Sequence, residues 1–182
     1  MKKTFLLCSA LLALCCSHAY AKKHHSEDRK LDTCTNEYSV ANSGYDVVAY
    51  FKYDEPRHGK SEYAVKGRHG ITYLFSSEET KDLFEKDPKR YRPQYGGFSA
   101  YSMAKGEKER GNPTIWTIVD GKLYLNASDK EQDKWNEKRS EYIKEADGKW
   151  EKKIKKYKEK KDKKDKKEKK DKEDKDHDED DD

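Results

Sequence analysis

Apolar and aromatic residues in this chain fall into short groups, and the period of the grouping identifies the elements. Gly44-Tyr45-Asp46-Val47-Val48-Ala49-Tyr50-Phe51 places Val47, Tyr50 and Phe51 at helical spacing behind Asp46. This predicts a capped helical turn, with a short strand as the competing reading. Glu62-Tyr63-Ala64-Val65 and Ile71-Thr72-Tyr73-Leu74-Phe75 predict paired strands across the glycine-bearing loop Lys66–Gly70. Alternation along the second strand puts the Tyr73 and Phe75 rings on one face. Ser76-x-x-Glu79 reads as a capping box ahead of a helix that buries Leu83 and Phe84. Asp87-Pro88 ends that helix and starts a further turn through Tyr91.

Asp120-Gly121 lies between Thr114–Val119 and Lys122–Leu125, the pattern of a two-residue type I′ hairpin. Ser128-x-x-Glu131 predicts a second capping box, opening a long helix. Its stripe runs through Trp135, Tyr142, Ile143, Ala146, Trp150, Ile154 and Tyr157, with Gly148 as a point of bending. No internal repeat is evident. The expected fold is α+β: one small domain of short antiparallel hairpins packed on helices, a long C-terminal helix, then a disordered charged tail.

The two ends have their own character. Lys2 and Lys3, the apolar run Thr4–Cys16 and Ala19-Tyr20-Ala21 form the three parts of a secretory signal over 1–21. The run is shorter than the roughly 20 residues a membrane span takes, so no transmembrane segment is expected after cleavage. Lipoprotein processing at Cys15 or Cys16 is the alternative, although Leu14 and Cys15 match it poorly. The chain is expected to be exported, periplasmic or secreted. Cleavage leaves Cys34 as the one thiol, too few for an internal disulfide, a CxxC motif or a four-thiolate zinc site.

At the other end, 151–170 holds 13 Lys against 5 acids, and 171–182 holds 2 Lys against 9 acids. Such composition buries too little apolar surface to offset chain entropy, so 151–182 is expected to be disordered. The basic block suits phosphate groups or an anionic surface, and the acidic tip suits weak divalent-cation binding. Of the net charge of +4, the signal contributes +2 and the tail +1, which leaves +1 over 22–150. A near-neutral body is not the footprint of a nucleic-acid-binding domain. The organisation is a signal at 1–21, a flexible segment at 22–36, the domain at 37–150 and the charged tail at 151–182.

Several separated blocks then stand in a characteristic order. They are Gly44–Phe51, Tyr73-Leu74-Phe75-Ser76-Ser77, Asp87-Pro88-Lys89-Arg90-Tyr91, Pro93-Gln94-Tyr95-Gly96-Gly97 and Asp120–Leu125, with Trp135 and Trp150 following. Over roughly 37–150 the chain resembles exported bacterial-type YHS-domain proteins. The resemblance implies a small module associated with copper and other heavy-metal systems. The positions where such modules place a Cys or His are Ser76 and Thr80 here, and the glycine-pair motif that often continues to a Cys has Ser99. A hydroxyl is a poor ligand for a soft ion, and Ser76 has a capping role that needs no metal.

A second metal reading comes from the residues themselves. Cleavage after Ala21 leaves Lys22-Lys23-His24-His25 as the new N-terminus. The free amine of Lys22, the next two backbone amides and the His24 imidazole offer four nitrogens in a plane, with His25 adjacent. That geometry suits Cu(II) or Ni(II). His58 and His69 lie in predicted loops, and His177 among acids. No GxSxG elbow, P-loop, dinucleotide fingerprint or HExxH motif occurs, and no enzyme activity is expected. Two functions follow: an exported non-enzymatic YHS-like domain binding copper, nickel or a small partner, or an interaction protein that meets a protein or surface through its charged tail. One equivalent of Cu(II) added to the mature protein is expected to give a visible d–d band that His24→Ala abolishes; a band that survives the substitution rejects the N-terminal site.

Overall fold

The computed structural model describes residues 33–36, 39–67 and 70–176. Its elements are α1 (Ala49–Lys52), β1 (Lys60–Lys66), β2 (Thr72–Phe75), α2 (Glu78–Lys86), α3 (Pro88–Tyr91), α4 (Ala100–Lys105), β3 (Asn112–Val119), β4 (Lys122–Asn126), α5 (Asp129–Glu137) and α6 (Arg139–Asp176). Short 3-10 turns occupy Asn42–Gly44 and Gln94–Gly97. Among these residues β1 pairs antiparallel with β2, and β3 with β4, as two separate sheets. The fold is α+β, as the periodicity predicts.

Local chemistry explains most boundaries. Asp120 and Gly121 both have positive φ, 49° and 70°, as a type I′ turn requires. Val119 is thereby set opposite Lys122 and Ile118 opposite Leu123. Pro88 occupies the first turn of α3, with the Asp87 side chain accepting from the Arg90 N–H at 3.3 Å.

Three expectations shift. The capping box of α2 is formed by Ser77 and Thr80 rather than Ser76 and Glu79: Ser77 Oγ accepts from the Thr80 N–H, and Thr80 Oγ1 from the Ser77 N–H, both at 3.3 Å. Ser76 is drawn away because its N–H and Oγ both donate to Asp46 Oδ2, at 2.8 and 2.7 Å. The long helix is interrupted at Lys138 (φ −136°, ψ 43°), not at Gly148, which lies inside α6. The interruption lets the stripe divide, with Trp135 packing on Tyr124 from α5 and Ala146 joining Ala100, Met103 and Ala104 from α6. Finally, α6 carries through 151–176, a stretch that composition assigns to a disordered tail. Lys and Glu are strong helix formers, no Gly or Pro follows Gly148, and acids precede lysines by four positions, as in Glu159/Lys163 and Asp162/Lys166.

The structure also contains a repeat that the sequence conceals. Each unit opens with a left-handed turn: Asn42, Ser43 and Gly44 in the first, Tyr95, Gly96 and Gly97 in the second, all with φ between 50° and 86°. It then passes through a short helix (α1 or α4), a hairpin (β1–β2 or β3–β4) and a serine-capped helix (α2 or α5). The Gly59 N–H donates to Gly44 O at 2.8 Å, and the Gly111 N–H to Gly97 O at 3.1 Å. The Asp46 N–H donates to Arg57 O and the Ser99 N–H to Glu109 O, each at 2.8 Å. Gly59 and Gly111 are both required by close approach, since an added Cβ would lie 2.4 Å from the Leu74 carbonyl carbon or 2.6 Å from Leu125 Cβ.

The units share a junction. Around the first hairpin, Val47, Val48, Tyr73, Phe75, Phe84 and Tyr91 form one cluster. Tyr95, Met103, Tyr124 and Trp135 form another around the second. Tyr50 joins Leu123 and Leu125 between them, its ring 5.2 Å from Trp116 in an edge contact. Tyr50 Oη donates to Pro113 O at 3.0 Å and accepts from Asn42 Nδ2 at 3.2 Å.

Asp46 is fully buried, and its carboxylate also accepts the Val48 and Ala49 N–H groups at 2.8 and 3.3 Å. Asp46→Ala removes every one of these bonds and leaves buried donors alone, so a loss of about 3 kcal/mol is expected. Urea unfolding measures it; a loss below about 1 kcal/mol would contradict the assignment.

Candidate functional site

Residues 33–35 cross the line where the two units meet. The Cys34 N–H donates to Gly96 O at 2.6 Å, Thr35 bridges to Ala41, and Arg110 Nη2 donates to Thr35 O at 2.7 Å. A cavity of about 360 Å³ opens on each side of this strap, and Thr33 lines both. The first is walled by Asn42, Tyr73, Lys89, Arg92, Gln94 and Trp150, among others. Cys34, Phe98, Lys108 and Arg110 line the second. Lys89 comes from α3 and Arg92 from its exit; Lys108 and Arg110 come from the loop between α4 and β3. The left-handed turn at Tyr95-Gly96-Gly97 brings these two stretches together, with the Phe98 and Trp150 rings 6.3 Å apart. Lys108 Nζ lies over both rings, 4.6 and 5.8 Å from their centres.

Among the described residues, four cationic side chains line the two cavities and no Asp or Glu does. Asn42 Oδ1 and Arg92 Nε are buried and have no hydrogen-bond partner among the described residues. Buried polar groups are nearly always paired, so these two mark hydrogen-bonding capacity at the wall of the first cavity. Burial pushes the Cys34 thiol above its usual value, with Arg110 and then Lys108 pulling the other way. Tyr95 is also pushed up, first by burial and then by its hydrogen bond to Asp147 Oδ1 at 2.8 Å.

The positions singled out by family resemblance serve the scaffold. Ser76 clasps Asp46, and Thr80, fully buried, completes the cap of α2. Ser99 is fully buried; its Oγ caps α4 through the Ser102 N–H and donates to Glu131 Oε2 at 2.6 Å. Ser76 and Thr80 belong to the first unit and Ser99 to the second. Among the described residues no group of three or more His, Cys, Asp or Glu side chains is placed to hold a metal. His24 and His25 lie outside the described residues, as do His69 and the signal segment. His58 stacks on Tyr45 with ring centres 4.0 Å apart.

Lys89, Arg92, Lys108 and Arg110 were not among the residues that sequence reasoning selected. Lys89 sits inside a motif block, but nothing in the sequence places it near Lys108, because the connection runs through tertiary structure. No helix among the described residues is long and apolar enough to cross a membrane. Comparison of the chain with protein-family models, with curated proteins and with solved structures gives no match.

The raised thiol makes a direct prediction, since less thiolate at neutral pH means slower attack on a disulfide reagent. A chain beginning at Lys22, in which Cys34 is the one thiol, should react in its native state with an aromatic disulfide reagent about tenfold slower than when unfolded in urea, and the gap should narrow as alkali deprotonates the thiol. Equal rates at pH 7 would show that Cys34 is neither buried nor raised.

Proposed function

We propose that this chain is an exported, non-enzymatic binding module of the YHS kind, and that it holds a small anionic partner in the groove beside Cys34. One observation carries the reading: Lys89, Arg92, Lys108 and Arg110 converge on two adjoining cavities that no acidic residue lines among the described residues, in a body whose net charge is only +1. Guanidinium forks match carboxylate, phosphate or sulfate oxygens, and the lysines add charge without fixed geometry. Trp150 and Phe98 offer apolar faces for the rest of a ligand.

The family part of the proposal is supported by the order of the motif blocks. In the fold they become the Asp46 turn, the second strand with its capped helix, the glycine turn and the type I′ hairpin. Export is supported by the arrangement of the first 21 residues. Copper or nickel at the amine, amides and imidazole of Lys22-Lys23-His24 is a separate reading, independent of the groove.

Thermal unfolding with citrate, with pyrophosphate and with chloride at matched ionic strength tests the groove. Citrate or pyrophosphate should raise Tm saturably by several degrees through preferential binding to the folded state. The double variant Arg92→Gln/Arg110→Gln should lose the rise, while Lys122→Gln keeps it. A chloride response equal to the others, or a rise that survives the double variant, overturns the assignment.

A further inference from the structure

The charge of the C-terminal helix acquires a direction once each residue is placed around the axis. Helix α6 runs from Arg139 to Asp176, and its side chains are described as far as Lys167. Over 151–167 it carries 11 Lys against 4 acids. With about 100° between successive residues, Glu151, Glu159, Asp162 and Asp165 gather within an arc of about 120°. Lys153, Lys156, Lys160, Lys163 and Lys167 recur at spacings of three, four, three and four on another side, flanked by Lys152 and Lys164. Among residues 151–167 no acid falls within this second arc. Lys153 is half-buried and the other six lysines are exposed.

The row is about 21 Å long and presents one ammonium about every 5 Å. Lys152, Lys156, Lys160 and Lys164 form an unbroken i, i+4 series of like charges, which opposes the helix until an anion compensates it. No arginine follows Arg139, so the row offers point charges without the fixed fork that phosphate recognition favours. Phosphates along one nucleic-acid strand come about every 3.4 Å, closer than these lysines. A helix that enters a bilayer interface does so through an apolar face. Here Ile154 and Tyr157, the apolar residues after Trp150, are half-buried and lie outside the row. We propose that the row is a docking surface for a linear acidic polysaccharide with a carboxylate on each sugar, whose ring-length repeat suits the lysine spacing. No residue of the row lines either cavity, so the proposal does not depend on the reading of the groove.

Fluorescence anisotropy with labelled polygalacturonate, on the full chain from Lys22, provides the test. The chain should bind in about 50 mM salt and release in about 0.5 M salt, where screening is nearly complete. Two variants remove equal charge from different sides of the helix with little change in helix propensity. Lys156→Gln/Lys160→Gln/Lys167→Gln should weaken binding about tenfold, and Lys155→Gln/Lys158→Gln/Lys166→Gln, on the acid-bearing side, by less than about twofold. Equal weakening by the two variants, or a parent chain that does not bind polygalacturonate at low salt, overturns the proposal. Tighter binding to long-chain polyphosphate or to vesicles of anionic lipid also overturns it, and would assign the row to that partner instead.

Discussion

The buried carboxylate of Asp46 is the constraint on which the first unit, and through it the whole body, depends. A charge taken out of water must be compensated fully or it destabilises the fold. Here the compensation comes from two backbone N–H groups at the start of α1 and from the N–H and hydroxyl of Ser76 at the end of β2. The carboxylate thereby orients α1, and α1 delivers Tyr50 to the junction between units. Tyr50 then closes the chain of dependence by reaching Pro113 and Trp116 of the second hairpin.

The groove is a product of that junction. Each unit buries its own hairpin and helix face, and Tyr50, its neighbours and the strap at Cys34 cross the line between them. The glycine turn holds the exit of α3 near the loop before β3, so side chains from distant parts of the sequence meet there. Binding sites favour such seams, because concavity arises where separately packed bodies touch. Among the described residues this seam is lined by four cations and no carboxylate.

Local signals were legible wherever a few residues decide the backbone. Asp120-Gly121 specifies its turn, Asp87-Pro88 a helix end and the start of another, and Asp46 a helical turn. Legibility failed by one position at Ser76 because the competing partner, Asp46, is thirty residues away. It failed at Lys138 because the break in the helix follows from where Trp135 and Ala146 must pack, not from any breaker residue. The repeat was hidden for a similar reason: the units share a path and a hydrogen-bond pattern, while nearly every side chain differs. The groove was illegible throughout, because four cations spread over Lys89–Arg110 gain meaning only from their convergence.

One correspondence between the units has a consequence for how the chain can change. In the first unit the buried carboxylate sits on the turn, at Asp46, and the hydroxyl on the opposite side, at Ser76. In the second the hydroxyl sits on the turn, at Ser99, and the carboxylate reaches across from the helix, at Glu131, which also accepts the Ala127 N–H at 3.3 Å. The same clasp is made with its halves exchanged. Asp46 and Ser99 are the fully buried halves, so losing the half-buried partner, Ser76 or Glu131, leaves a buried polar group short of a bond. Substitution at these places is therefore a coupled event, and descendants of the chain should carry carboxylate and hydroxyl on opposite sides of each clasp far more often than two of a kind.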